Sequence, residues 1–216
     1  MRNLLLTILM LLSVNIYSQE LAVTIKGDTL EIFENGTWKK YNPKKSEVSK
    51  IESSVKVIEK VDEFTNEKLI STESWIKFAS STYVNIGGKA LKNTKLGTIG
   101  FSLLVRGDLG CLSKQDSSMM IKLSNDEVVP MTYMSDTDCS DLINGGWIAL
   151  SKEDFKNPKW VDIIKENNEL LKNYNWTKIR ITGTDGFVDL APNVNRKMKN
   201  PEQFFREHIT AIKSHK

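Results

Sequence analysis

Apolar and polar residues alternate in short runs along most of the first two thirds of the chain, and helical spacing takes over in two stretches near its end. The run LAVTIKGDTLEIFENGTWKKY, residues 21–41, reads as three short strands parted by Lys26-Gly27-Asp28 and Glu34-Asn35-Gly36. Asn-Gly between β-rich segments signals a hairpin, because both residues tolerate positive φ. Val23, Ile25, Leu30, Ile32 and Trp38 give this meander one apolar face. Residues 42–63 are rich in Lys, Ser and Glu and poor in large apolar side chains, which marks a polar linker. A short amphipathic helix around residues 48–61 is the alternative.

Further on, period-two patterning predicts strands over 75–79, 82–86, 98–106, 118–123, 127–134 and 147–150. Ser124-Asn125-Asp126 makes 118–134 a hairpin, and Gly183-Thr184-Asp185-Gly186 joins strands 177–182 and 187–190 into another. Ile86-Gly87-Gly88 and Asn144-Gly145-Gly146 read as turns. Asn157-Pro158 and Asn200-Pro201 each place a capping residue before a proline that needs no backbone N–H, so a helix is expected after both. Trp160, Ile163, Ile164, Leu170, Leu171 and Tyr174 form the apolar stripe of the first. Phe204, Phe205, Ile209 and Ile212 form that of the second.

Many hairpin-linked strands followed by late helices predict an α+β fold: a mainly antiparallel sheet with two helices of the C-terminal half packed on it, preceded by the small three-stranded meander. The expected boundaries are a signal peptide over 1–18, the meander over 19–42, the linker over 43–60 and the main domain over 61–216.

The leader changes the setting. Arg2 is followed by an apolar run over residues 4–16 and by the small Ser18, the anatomy of a secretory signal. The run is too short to span a bilayer comfortably, and no second run of spanning length follows, so no transmembrane anchor is expected after cleavage. An exported chain, periplasmic or extracellular, is the expectation. There the two cysteines, Cys111 and Cys139, are read as one disulfide. A net charge of +3 is too small to imply a nucleic-acid partner.

Candidate chemistry is sparse. Asp136, Asp138 and Asp141 crowd around Cys139, and carboxylates suit a hard cation such as Ca²⁺. Counted from Asp136 as an EF-hand loop, the sixth position is Asp141 rather than Gly and the twelfth is Trp147 rather than Glu, so no EF-hand is present. A polar loop pinned by the disulfide is the simpler reading. His208 falls among the apolar residues of the last helix and His215 in the tail, with no Gly-x-Ser-x-Gly elbow, so His208 is read as structural. Asp108 or Asp116 with Asp136 or Asp138 could form an acid–base pair. No phosphate-binding glycine motif occurs, and no cofactor is expected.

The leader ending Tyr-Ser-Gln-Glu, the GDTLEIFENGTWKKY meander and the later DEFTNEKLIST resemble small exported proteins of flavobacterial type. The resemblance spans the N-terminal third and implies an envelope or extracellular setting without site residues. The expected function is a noncatalytic binding or interaction protein, its partner an envelope protein or a polysaccharide. The alternative is a carboxylate-dependent hydrolase acting on an envelope or extracellular polymer.

Overall fold

In the computed structural model of the chain, residues 20–23, 29–32, 36–40, 53–73, 76–195 and 197–215 are described, and statements of structure concern these alone. The expected signal peptide lies outside them, as do residues 43–52 of the expected linker. The chain divides into two compact units, residues 1–46 and 47–216.

In the first unit, β1 (Glu20–Val23), β2 (Thr29–Ile32) and β3 (Trp38–Lys40) form an antiparallel sheet in that order. The register runs from Glu20 opposite Ile32 to Val23 opposite Thr29, and then from Leu30 opposite Lys40 to Ile32 opposite Trp38. This is the meander that the alternation and the Asn-Gly turn predict.

The second unit begins with β4 (Val57–Val61), β5 (Lys68–Thr72), β6 (Ile76–Ser80), β7 (Asn85–Asn93) and β8 (Thr98–Arg106). It continues with β9 (Ser118–Leu123), β10 (Val128–Tyr133), β11 (Leu142–Ile148), helix α1 (Trp160–Asn173), β12 (Trp176–Gly183), β13 (Gly186–Pro192) and helix α2 (Phe204–Ser214). Two 3₁₀ turns, Glu153–Lys156 and Pro201–Gln203, lead toward the helices. All strand pairings are antiparallel, and their order is β7-β6-β13-β12-β9-β10-β11-β8. β8 then returns to β7 through nine rungs, Asn85–Arg106 to Asn93–Thr98.

The sheet is therefore a closed eight-stranded barrel, not the open layer expected from the sequence. Closure pairs the edges that an open sheet would leave bare. β5 and β4 branch from the ring, because β7 shares one edge between β6 over residues 85–88 and β5 at residues 91–92. The end of the expected linker is thus strand β4, whose residues pair with Lys68–Thr72.

Along β8, Ile99, Phe101, Leu103 and Val105 are buried, while Gly100, Ser102 and Leu104 are only partly covered. The first set fills the barrel and the second faces outward. Phe78, Ile86, Ile121, Ile179 and Ile181 join the interior set, so the lumen is a packed core. Both helices pack on the sheet, α1 against β8 and β10 and α2 against β5 and β7. α1 runs directly into the start of β12 and α2 follows the end of β13, which puts both at one end of the barrel. Phe204 of α2 stacks on Phe78 at 3.8 Å between ring centroids, and Phe205 meets Phe78 and Phe101 edge-on. Trp176 Nε1 donates to Pro201 O at 2.7 Å.

Both helices begin later than their Asn-Pro signals suggest, because the proline falls in a preceding turn. Asn157 Oδ1 accepts the Lys159 N–H at 2.9 Å, and α1 starts at Trp160. The glycine pairs read as turns are strand interior. A Cβ on Gly88 would lie 2.4 Å from Leu103 Cδ2 and 3.4 Å from Phe204. One on Gly145 would lie 2.1 Å from the Tyr133 ring. Close approach, rather than chain reversal, requires glycine at these two positions.

Candidate functional site

The end of the barrel opposite the helices holds the aspartate-rich loop. Cys111 and Cys139 are joined there, 28 residues apart in sequence. The Leu112 and Asp138 backbones exchange hydrogen bonds at 2.8 and 3.0 Å. Thr184, in the β12–β13 turn, accepts the Cys111 N–H through Oγ1 at 2.8 Å and donates its own N–H to Cys111 O at 3.1 Å. Leu109 and Leu112 are buried beneath, so the loops stopper the lumen. Tyr133 OH donates to Asp136 O at 3.1 Å, and burial pushes its phenol above its ordinary pKa.

The loop carboxylates serve this closure one by one. Asp138 Oδ1 accepts the Ser140 N–H at 2.9 Å, and bonding from Ser140 holds the carboxyl below its usual range. Asp136 points into solvent with Lys114 Nζ 3.5 Å away. Asp108 bonds the Gly110 N–H, and Asp116 bonds Ser113 Oγ. Asp141 contributes its backbone carbonyl to Gly107 N–H. Among the described residues no three His, Cys, Asp or Glu side chains are grouped to hold a metal ion. None of Asp108, Asp116, Asp136 and Asp138 lines the groove described next, and the Asp136–Asp141 loop is pinned by the disulfide and by local hydrogen bonds.

A different feature, which the sequence reading missed, is concave. The β4–β5 tip, the β7–β8 tip, the 3₁₀ turn at Glu153–Lys156 and α1 surround a groove of about 920 Å³ on the outer face of the barrel. Its floor lies on the outward face of β8 and β11, where Gly100 stands opposite Ile148 and Gly146 opposite Ser102. The two missing side chains leave the floor low. A Cβ on Gly146 would meet nothing closer than Ser135 Oγ at 3.6 Å, so glycine here leaves space rather than relieving a clash. Val61, Leu69, Leu96, Met134 and Phe155, all counted among the exposed large apolar residues, line the walls.

Two polar arrangements shape the tips. Asp62 Oδ1 accepts from Phe64 N–H, Thr65 N–H and Thr65 Oγ1, which closes the β4–β5 turn and lowers the carboxyl pKa. Glu67 of that turn pairs with Lys95 of the β7–β8 turn, joining one tip to the other. Trp147, also lining the groove, keeps Nε1 buried without a partner among the described residues.

His208 is structural, as its helical neighbours suggest. It is fully buried, with Nδ1 2.7 Å from Thr72 Oγ1, which accepts the Ala90 N–H at 2.9 Å. Nε2 has no partner among the described residues, and burial pushes the ring's pKa down to about 4. His215 lies on the surface, 3.4 Å from Glu59.

No protein-family model, curated protein or solved structure matches the chain. Among the described residues no helix is long and apolar enough to cross a membrane.

Proposed function

We propose that the chain is an exported, noncatalytic binding protein of the envelope or extracellular space, and that its ligand lies in the outer groove. One observation carries this reading: five exposed large apolar side chains converge on a single concavity of about 920 Å³. Apolar side chains scattered singly on a surface need no explanation, but a contiguous concave set marks a binding site. The barrel interior offers no competing site, because aromatic and branched side chains fill it and loops or helices cover both ends. The apolar floor suits a hydrocarbon-bearing ligand better than a polysaccharide. Export rests on the leader, with the disulfide as support, since such bonds persist in oxidising compartments.

The test is titration with N-phenyl-1-naphthylamine, an uncharged probe whose emission rises in apolar sites. Gly146→Phe projects a ring into the groove without a backbone clash. The expected result is saturable binding by the native chain and at least a tenfold loss in the variant, with circular dichroism and melting temperature retained. Failure of the native chain to bind, or equal binding by both, would remove the groove as the site.

A further inference from the structure

We infer that a second, smaller cavity, independent of the groove and its reading, takes a free α-amino acid with an apolar side chain. The residues leading into β4, the first residue of β6, the loop at 197–200 and α2 enclose about 330 Å³. His208 lines this cavity although it is fully buried. Its Nδ1 edge is turned to Thr72 Oγ1 at 2.7 Å, and its ring lies against Phe204 at 4.1 Å between centroids. Neither Thr72 nor Phe204 lines the cavity, so the far edge of the ring, which carries Nε2, is the part that meets it. Thr72 Oγ1 already accepts the Ala90 N–H, which leaves its own proton for Nδ1. The network therefore assigns the ring proton to Nε2, a donor without an acceptor among the described residues.

Charges of both signs stand open on the same wall. Lys56 and Glu73 pair with each other at 3.2 Å. Lys197, Lys199 and Glu207, which also line the cavity, form no ion pair among the described residues. Glu207 is partly buried, and that burial raises its carboxyl pKa. A buried donor needs an acceptor, and a carboxylate drawn out of water needs a cation. A simple anion would answer Nε2 and the lysines but meet Glu207 as a like charge. A simple amine would answer Glu207 and leave Nε2 idle. A zwitterion satisfies both, its carboxylate taking the Nε2–H and the lysines and its ammonium facing Glu207. Ile76 and the buried Met198 give the side chain an apolar wall. The volume falls at the lower end of the roughly 300–1,000 Å³ usual for small-molecule sites, which suits one amino acid.

The experiment is calorimetric titration of the full chain with leucine, with 4-methylpentanoate, which lacks the ammonium, and with 3-methylbutylamine, which lacks the carboxylate. Each analogue forgoes one charge-assisted contact and should bind about tenfold more weakly than leucine, or worse. Glu207→Gln should erase the advantage of leucine over 4-methylpentanoate, with the melting temperature retained. Lys197→Gln/Lys199→Gln should narrow its advantage over the amine. In the native chain the His208 Nε2–H resonance should shift as leucine saturates the site. Gly146→Phe, which fills the groove, should leave leucine binding intact. No saturable leucine binding, equal binding of leucine and 4-methylpentanoate, or an advantage that survives Glu207→Gln overturns the inference. Leucine binding abolished by Gly146→Phe also overturns it, by moving the ligand to the groove. The groove reading stands or falls separately on the naphthylamine titration.

Discussion

Acidification should unfold this protein through His208 before the carboxylates contribute. The imidazole is fully buried and shares Thr72 Oγ1 with the Ala90 N–H. The neutral ring satisfies Nδ1, whereas the protonated ring would bury a charge with Nε2 unpaired. Burial lowers its pKa from 6.5 to about 4. Between those values the unfolded chain binds a proton that the folded chain refuses. The stabilisation is therefore complete above pH 6.5 and drains as pH falls toward 4. At ~1.36 kcal/mol per pH unit, the whole span amounts to about 3.4 kcal/mol, with about 2 kcal/mol lost by pH 5.

Asp62, Asp138, Glu169 and Asp189 have lowered pKa values, so their losses come at lower pH, beginning as it drops toward 4.5. Burial raises Glu207, whose contribution runs the opposite way by favouring the fold as it protonates. A comparison with His208→Asn removes both complications, because the variant keeps every carboxylate and an acceptor near the Nδ1 position. The assay is urea unfolding from pH 7.5 to 4.5. The native chain should lose about 2 kcal/mol more than the variant between pH 6.5 and 5. Parallel curves would refute the reasoning.

Replacing Cys111 and Cys139 by Ser should cost about 3–4 kcal/mol, read from denaturant midpoints, since the bond closes a loop of 28 residues' separation. The bond should also keep both sulfurs unreactive to thiol reagents in the folded chain. Gly145→Ala drives a methyl into the Tyr133 ring and should destabilise by about 1–3 kcal/mol, whereas the adjacent Gly146→Ala should shift the melting temperature little. Phe204→Ala empties the stack on Phe78 and should cost about 3–5 kcal/mol in the same unfolding assay.

Local patterning was informative wherever one face of an element meets the core. The expected strands 98–106 and 118–123 coincide with β8 and β9, since alternation records the inward and outward sides of a half-buried strand. The stripe Phe204, Phe205, Ile209 and Ile212 is buried along α2 for the same reason at helical period. The cysteine pair was legible from its number and from the leader before it.

Closure was not legible, because alternation says which side of a strand is buried and not which strand lies beside it. The ring is completed by rungs distant in sequence, including Ala191 with Ser80 and Pro192 with Ala79. Gly-Gly carries one local signal for two situations, a turn and a crowded or deliberately low stretch of strand. Only the neighbours decide between them: Leu103 and Phe204 at Gly88, Tyr133 at Gly145. The groove needed still more, because its walls come from residues 60–69, 91–96, 134, 146–148 and 155–164, and nothing short of the folded barrel brings them together. The chain thus carries its own elements and their buried faces in local order, while the closed ring and the outer concavity arise from contacts between residues that local order leaves far apart.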